Sequence, residues 1–426
     1  MKNKKIVFFI GFLSLSFLFS SCGKRIAKSY VEQQQKLILA YNDGNFSQAL
    51  KLSDSFVKEV HKSFPQDLYV ALLERGKIAL DSQEYDLAIE DLQEAEERFL
   101  DIEGTLSLSE EGSSLFLDDT TKEYEAEPLE KLMISPYLSL AYLGKGNFEG
   151  ARIERNRTMT KINQYIESTQ GAGYLENPFA RYLSGVLYEK EKKFNDARIE
   201  YQKIKNGENT PSQAKEWIDN ELQRIKKPNL SDLVVFVDVG KSPMKFEKKH
   251  GPVNGVNSAG KGVTINIVYA DMNPRKYQVK KCKVLVNGEE VGETILLYNL
   301  GQTILTQFQK NSPKLMKSLI SRAIVKTVTQ AAGNELSKKE GTVGAVGTAI
   351  SLFSAVSSAI ERADLRSWIT LPGEVQVFRA FNQEEGEALV QLIFLDAAGN
   401  EIGKSDSKPF SITKGDIAIA HFRVVR

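Results

Sequence analysis

The chain has 426 residues, of which 56 are Lys or Arg and 55 are Asp or Glu, so its formal net charge is +1. With 42% hydrophobic and 26% charged residues it has enough apolar material for folded cores, which excludes an intrinsically disordered protein. The balanced charge argues against a nucleic-acid-binding protein, and the length favours two or more domains.

The N-terminus predicts a lipoprotein signal peptide over residues 1–21. Three lysines near the start precede an apolar run from Ile6 to Phe19, which is too short to span a bilayer. Two serines then lead into Cys22. This ending resembles the lipobox of bacterial lipoproteins, in which the signal is cut just before a cysteine that is then acylated, although Phe19 departs from the Leu or Val usual at its position.

The resemblance implies that Cys22 is the lipidation site and carries fatty acyl chains such as palmitate. Several acyl chains hold a protein stably on a bilayer. We therefore expect a lipid-anchored, periplasm-facing protein of the cell envelope, at the outer membrane because no Asp follows the cysteine. The alternative is an ordinary secreted protein whose Cys22 lies near the cut. Acylation would leave Cys282 without a disulfide partner, and its strand-like surroundings predict a buried, inert thiol.

Internal repeats run through the predicted first domain, residues 22–228. Each of four units has an aromatic residue just after a predicted tight turn and an alanine three positions later, and two units also have a glycine at a common offset before the turn. The residues are Phe46 and Ala49; Gly76, Tyr85 and Ala88; Phe148 and Ala151; and Gly185, Phe194 and Ala197. Each unit resembles a tetratricopeptide repeat, in which small residues let two antiparallel helices approach closely and the aromatic ring fills the gap between them.

The irregular spacing of these units predicts a divergent tetratricopeptide-like solenoid of roughly four or five helix pairs, with an acidic insertion at about residues 101–127. Stacked helix pairs of this kind present a long surface suited to binding other proteins. A plain helical bundle with repeat-like turns is the alternative.

Acidic residues are concentrated around that insertion. Residues 81–130 contain eighteen Asp or Glu but only Arg98 and Lys122 as basic residues. The pattern favours a solvated helix face followed by an acidic, mobile loop. A surface for cations or for a basic partner is the alternative, although the ligand spacing of a calcium loop is missing.

The second half, residues 229–426, predicts an antiparallel β-domain. Runs rich in Val, Ile and Phe alternate with turn signals, and Asn287-Gly288 predicts a hairpin turn. A helical insertion at about 300–363 interrupts the strands and is expected to dock the two domains together. The uncharged stretch 343–360 within it is barely long enough to span a bilayer, which favours a packed helical hairpin over a membrane-contacting segment. The predicted fold is thus multidomain α+β, a helical solenoid followed by an antiparallel β-domain with an inserted helical hairpin.

Two stretches carry a family likeness. The first contains Asp118, Tyr124, Glu125, Glu130, Lys131, Tyr137, Tyr142, Leu143, Gly146 and Ala151, and the second contains Asp364, Arg366, Trp368, Leu371 and Pro372. Together they resemble a family of tetratricopeptide-containing bacterial envelope lipoproteins to which no reaction is assigned. Such proteins often accompany lipoproteins that resemble activators of penicillin-binding proteins, so the resemblance implies a place in the envelope rather than a mechanism.

The second of these stretches has two interpretations. In the structural one, Asp364 pairs with Arg366 and Trp368 lies in the core, at a junction between a helix and a strand. In the functional one, Arg366 and Trp368 contact a partner protein or a glycan.

Catalytic motifs are missing from the sequence. His61, His250 and His421 lie far apart, so no clustered metal site is predicted, and no serine-hydrolase or phosphate-loop motif occurs. No cofactor is expected. The sequence therefore predicts a non-enzymatic scaffold or adaptor whose repeats bind an envelope protein partner, in cell-wall synthesis or envelope maintenance. The alternative is a cell-wall hydrolase that uses paired carboxylates.

Overall fold

The computed structural model describes most of the chain from residue 34 onward. The described residues are 34–109, 123–168, 173–226, 231–256, 262–313, 315–317, 319 and 363–426. The helices of the first part end at Arg224, and the first strand begins at Asp232. The predicted α+β class is therefore confirmed.

Helices of the first part are arranged as consecutive hairpins. They are α1 (34–42), α2 (Phe46–Ser63), α3 (Leu68–Asp81), α4 (Tyr85–Ser109), α5 (Pro128–Gly144), α6 (Phe148–Ser168), α7 (Pro178–Lys190), α8 (Phe194–Asn206) and α9 (Ser212–Arg224). The partners α3 and α4, α5 and α6, and α7 and α8 pack along one another. Because α4 continues to Ser109, the first residues of the predicted insertion at about 101–127 are helical.

The same turn chemistry recurs in four hairpins. One residue of each turn has a positive φ, and these residues are Gly44 (76°), Gln83 (65°), Gly146 (78°) and Lys192 (62°). In each turn the next backbone N–H donates to the carbonyl five residues earlier, as Asn147 does to Tyr142 at 2.8 Å. This bond satisfies a carbonyl that the end of the first helix would otherwise leave unpaired.

The second helix of each hairpin begins at the aromatic residue that the sequence pattern singled out. These four first residues are Phe46, Tyr85, Phe148 and Phe194. The alanines three positions later are all fully buried against the first helix: Ala49, Ala88, Ala151 and Ala197. A Cβ at Gly76 would lie 2.8 Å from Leu92, and one at Gly185 would overlap the ring of Tyr201. Small residues thus permit the close approach of the paired helices.

The second part contains two stacked sheets and a separate ribbon. Its strands are β1 (Asp232–Val239), β2 (Met244–Val256), β3 (Gly262–Asn273), β4 (Lys281–Val286), β5 (Glu289–Glu293), β6 (Ile295–Tyr298), β7 (Glu374–Ala380), β8 (Gly386–Leu395), β9 (Glu401–Lys404), β10 (Lys408–Ile412) and β11 (Ile417–Val424). The first sheet has the order β11-β1-β7-β6. The second has the order β10-β8-β4-β5 with β9 beside β8, and β2 and β3 form the ribbon. Asn287 and Gly288, with φ of 52° and 88°, make the predicted hairpin turn between β4 and β5.

One strand pair departs from the predicted antiparallel domain. β11 runs parallel to β1, with Asp232 opposite Ile417, whereas β7 pairs with the other edge of β1 in the antiparallel direction. Parallel neighbours need a long connection, and here it includes the whole second sheet. Periodicity within a strand carries no information about such a distant partner.

Strand β1 lies at the centre of three layers. All its residues are buried. Val234 and Phe236 belong to the core shared with the helices, whereas Val235 and Val237 belong to the core shared with the second sheet. Cys282 lies in this second core, fully buried, and burial raises the pKa of its thiol to about 12. The predicted burial of this thiol is confirmed.

The predicted helical insertion begins with α10 (300–313), and the uncharged stretch 343–360 lies outside the described residues. In α10, Gln307 accepts a hydrogen bond from the Leu129 N–H and donates one to Glu127 of the helical part. The first sheet and residues 363–372 also join the two parts, which the sequence did not predict. In the described part of the chain, no helix has both the length and the apolar character needed to cross a bilayer.

Candidate functional site

The first helices of the hairpins face a short stretch of the second part without regular secondary structure, residues 363–372, here called the inner segment. Glu74 of α3 accepts hydrogen bonds from the backbone N–H groups of Ile369 (2.6 Å) and Thr370 (3.0 Å). Glu130 of α5 accepts one from the N–H of Trp368 at 2.7 Å. Two buried carboxylates therefore hold the backbone of the inner segment against the helices.

Burial dominates the electrostatics of Glu74. It raises the pKa of this carboxyl to about 7, although the hydrogen bonds from Thr370 and Ile369 act in the opposite direction. The Glu130 carboxylate also accepts the hydroxyl of Tyr124 at 2.6 Å, so both of its oxygens are used.

The side chains of the inner segment complete the contact. Arg366 donates to Asp364 at 2.7 and 2.9 Å, as the structural interpretation requires, and also to Asp67 of the helical part at 2.7 Å. Trp368 is 1% exposed, and its ring packs edge-on against Tyr137. Both Arg366 and Trp368 are buried by the chain itself, so the alternative of an exposed contact patch is wrong for them.

A second cluster joins α7 and α9 to the first sheet. Arg379 of β7 is fully buried and forms ion pairs with Glu189 (3.0 Å), Glu221 (3.1 Å) and Asp232 (2.8 Å). Arg224 pairs with the same two glutamates. Three buried carboxylates thus face two guanidinium groups, of which that of Arg224 is partly exposed.

A third cluster, here called the lysine cluster, consists of Lys77, Asp81, Asp238 and His421. The Lys77 ammonium lies 2.6 Å from Asp81 and 3.1 Å from Asp238, and all three side chains are fully buried. Nε2 of His421 lies 3.2 Å from Asp238. Burial alone would raise the pKa of Asp238, but Lys77 and His421 hold it well below its usual range.

Tyrosine and arginine side chains connect the lysine cluster to the inner segment. The Tyr41 hydroxyl donates to Asp81 (2.6 Å) and lies 3.0 Å from the carbonyl of Thr370, and it accepts a hydrogen bond from Arg423 at 2.8 Å. Arg423 also donates to the carbonyls of Asp238 and Gly240. The cluster is therefore part of the same seam between helices and strands.

The sequence predicted no clustered metal site because the three histidines lie far apart, but His421 lies beside two aspartates in the lysine cluster. One ligand atom each of Asp81, Asp238 and His421 lies within 4.8 Å of the others. Two carboxylates and an imidazole would suit a divalent cation in type. The Lys77 ammonium, however, already provides a positive charge between the two carboxylates, so the residues do not need a metal for charge balance.

The acidic stretch 81–130 is only partly a solvated face. Asp81, Asp91, Glu96 and Glu130 are buried. Asp91 pairs with Arg75 at 2.7 Å, and Glu96 pairs with Lys161. In α4, where side chains are described as far as Phe99, the exposed acidic ones are Asp86, Glu90, Glu94 and Glu97. The predicted solvated face is therefore wrong for the four buried carboxylates.

The sequence analysis did not single out the charged residues that join the helices to the strands. Asp238 interrupts the apolar strand 233–239, and Glu74 and Lys77 lie in α3 among mostly apolar residues. Charges are rarely buried unless they are paired, so such isolated charges in apolar runs are the signal that could have found them. Cys22, the predicted lipidation site, lies outside the described residues.

Comparison with known proteins adds no relative. No protein-family model matches the chain, and no curated protein matches it with significant similarity.

Proposed function

We propose that the chain is a lipid-anchored envelope protein that acts as a non-enzymatic scaffold, with a tetratricopeptide-like array of helical hairpins as its partner-binding part. The recurring turn of four hairpins, with its positive φ and its reach-back hydrogen bond, supports an array of repeats over a plain bundle. The N-terminal resemblance to lipoproteins supports the anchor at Cys22, and the likeness to envelope lipoproteins supports a role in cell-wall synthesis or envelope maintenance.

The observation that carries the proposal is that the two helices of a hairpin differ in exposure. Nearly every residue of the first helices α3, α5 and α7 is buried. These helices face the inner segment and the first sheet, so the chain itself covers that side of the array. The second helices α6 and α8 expose apolar side chains, with Ile153 44% and Ile199 45% exposed.

A partner would therefore bind along the second helices. Ile153 and Ile199 occupy the same position in successive hairpins, five residues after the aromatic that begins each helix. One extended partner can contact apolar side chains that recur in this way.

Charge placement supports a scaffold over the alternative hydrolase. Asp81 and Asp238 are facing carboxylates, but both are fully buried and are paired with Lys77. A hydrolytic carboxylate must reach the glycosidic oxygen or a water beside it. Through Lys77, these two carboxylates instead hold the two parts of the molecule together.

Site-specific photo-crosslinking in the native envelope tests the proposal. A photoreactive residue is placed at Ile153 or at Ile199, and matched controls carry it at Leu389 or Val291, which are 49% and 37% exposed on the strand part. We expect both helical positions to capture the same envelope protein and the controls to capture none of it. Equal capture from all four positions, or hydrolysis of peptidoglycan by the purified chain, would contradict the scaffold.

The anchor has a separate test. Mass spectrometry of the mature N-terminus should find acylated Cys22 as the first residue. An unmodified cysteine, or a cut at another position, would show that the lipobox resemblance is misleading.

A further inference from the structure

Strand β11 is the outermost strand of the first sheet, and its outer edge has open backbone groups. The strand pairs with β1 on one side. Gly240, which follows β1, donates to the carbonyl of Val424 in this parallel register, so the even-numbered residues of β11 direct their N–H and C=O groups to β1. In a parallel pair the residues between them direct theirs to the other side. The odd-numbered residues 417–423 therefore face the outer edge with their backbone groups.

Most of this outward row has no hydrogen-bond partner. Both groups of Ile417 are taken: its carbonyl accepts from the Lys190 ammonium at 2.7 Å, and its N–H donates to the side chain of the preceding aspartate. No residue that the structure describes hydrogen-bonds to the backbone groups of Ile419, His421 or Arg423. Backbone groups of a folded chain are nearly always paired when they are away from water. Three N–H and three C=O groups of β11 are thus available to another chain.

A groove runs along this open row, and we call it the edge groove. Its cavity is lined by the same three residues of β11, namely Ile419, His421 and Arg423. One wall is the end of α5, at Leu143, and the opposite wall is β10, at Phe410. The cavity measures about 30 Å³, and a single water needs roughly 10–15 Å³. Beside the open backbone there is thus room for one small side chain.

The edge groove is open to solvent but recessed. Gln83 and Gly144, at its rim, are exposed. Helices lie on one side of the groove and β10 lies on the other. A single extended segment can therefore reach β11, whereas the same edge of a second copy would bring its own helices against these walls.

The other outermost strands of the two sheets are protected against pairing with another chain. β10 contains Pro409, which has no N–H to donate. β5 contains three glutamates and a bulge, and β6 is only four residues long. Proline, charge, bulges and short length are features that block strand addition at a sheet edge. β11 has eight residues in continuous register, without proline or a bulge, so its edge is the one suited to accept a strand.

We propose that an extended segment of a partner protein binds in the edge groove and adds a strand to the first sheet beside β11. N–H and C=O groups alternate along the open row, so partial positive and negative charges follow one another at the spacing of a strand. The backbone of an extended polypeptide carries the complementary alternation. One small apolar side chain of the segment enters the cavity beside Leu143. This site lies on the strand part and does not depend on the scaffold function proposed for the second helices.

Hydrogen exchange of single amides, measured on the full chain in mild detergent, tests whether the row is open. We expect the amides of Ile419, His421 and Arg423 to exchange about tenfold or more faster than those of Ala418 and Ala420, which are bonded to β1. Equal protection of both sets would mean that the row is already paired, and the proposal would be wrong. Protection of the odd-numbered amides that rises with the concentration of the chain alone would assign the edge to a second copy, which also contradicts the proposal.

A phage-displayed library of random peptides of the length of β11 supplies the probe. Peptides selected on the full chain should slow exchange at the three odd-numbered amides by about tenfold or more and leave the even-numbered ones unchanged. Each selected peptide is also made in two N-methylated forms, one for each alternate set of residues. Because a strand directs every second N–H to its neighbour, one form should lose binding and the other should keep it. Equal effects of the two forms, or no selected peptide that protects these amides, would overturn the proposal.

A proline in the open row provides the matched variant. Ile419→Pro removes an N–H that β1 does not use and places a ring where the added strand would lie, so peptide affinity should fall by about tenfold or more. The control is Val291→Pro in the bulge of β5, which should bind the peptide like the wild type. Should Ile419→Pro not fold, Leu143→Arg fills the groove from its wall and must cause the same loss. Equal peptide binding by the groove variant and Val291→Pro would contradict the proposal.

Discussion

The inner segment is held at the residue scale by carboxylates that bind its backbone. Glu74 accepts two N–H groups and Glu130 accepts one. Backbone capture fixes the path of a segment whatever its side chains are, whereas Arg366 and Trp368 fix its register through the pair with Asp67 and the packing on Tyr137. Both kinds of contact are needed, because backbone bonds alone would allow the segment to slip.

Glu74 should make stability depend on pH. Its pKa is about 7 in the folded chain and about 4.5 or slightly lower when unfolded, so the folded chain holds the proton more tightly. Acidification from pH 8 to pH 5 therefore adds stability through this group, up to about 3 kcal/mol. Glu74→Gln should remove this gain in stability on acidification. The measurement compares the unfolding free energies of wild type and variant at the two pH values.

Glu154 offers a comparison for this experiment. Burial, aided by the neighbouring Glu96, raises its pKa to about 7 as well, but it lies in α6 and does not touch the inner segment. Glu154→Gln should remove a similar pH dependence and leave that of Glu74 in place. A pH profile of Glu74→Gln parallel to that of the wild type would show that Glu74 does not titrate in this range.

At the scale of elements, the hairpin turns use two different residue types in one conformation. Gly44 and Gly146 adopt the positive φ without strain, whereas Gln83 and Lys192 adopt it with a Cβ. The left-handed conformation costs a non-glycine residue roughly 1–2 kcal/mol. The two non-glycine turns therefore hold backbone strain, and the packing of the neighbouring helices outweighs its cost.

Exchanging the turn residues should change stability in opposite directions. Gln83→Gly should raise the free energy of unfolding by about 1 kcal/mol, because it relieves the left-handed strain. Gly146→Ala should lower it by a similar amount, and only through φ, because a Cβ there would meet nothing within 4 Å. Urea unfolding of the two variants measures both effects. Destabilisation by Gln83→Gly would mean that the glutamine has a role beyond the turn.

The elements also show what could be predicted from the sequence. Local signals sufficed where neighbours in sequence are neighbours in space, as at Phe148, which begins α6, and at Asn287-Gly288. They failed where contacts join distant parts of the chain. Lys77 and Asp238 carry no mutual signal in the sequence, and their pairing at 3.1 Å exists only because β1 packs against α3.

Arg379 should be among the most important single side chains for the whole molecule. It joins helices α7 and α9 to the first sheet through Glu189, Glu221 and Asp232. Removing one member of a buried ion network leaves the others uncompensated, at a cost of about 3–5 kcal/mol. Arg379→Met should therefore lower the free energy of unfolding by that amount in urea titrations.

An exposed pair provides the matched control. Lys281 pairs with Glu293 at 2.8 Å, with about two-fifths of each side chain exposed, and such surface pairs contribute at most about 1 kcal/mol. Lys281→Met should thus unfold nearly like the wild type. If Arg379→Met did so too, the two parts of the molecule would be held together mainly by their apolar faces.

The parallel pairing of β11 with β1 has a consequence for how the protein is made. A chain that is made N-terminus first can form its helical hairpins and β1 before residues 417–424 arrive. Until then β1 presents an open row of backbone N–H and C=O groups, which invites pairing with other chains. The lysine cluster is also incomplete, because His421 comes with the same late strand. The new chain is therefore most prone to pairing with other chains during the last steps of its synthesis. A nearly finished chain must then be protected by chaperones, or β11 must pair with β1 quickly.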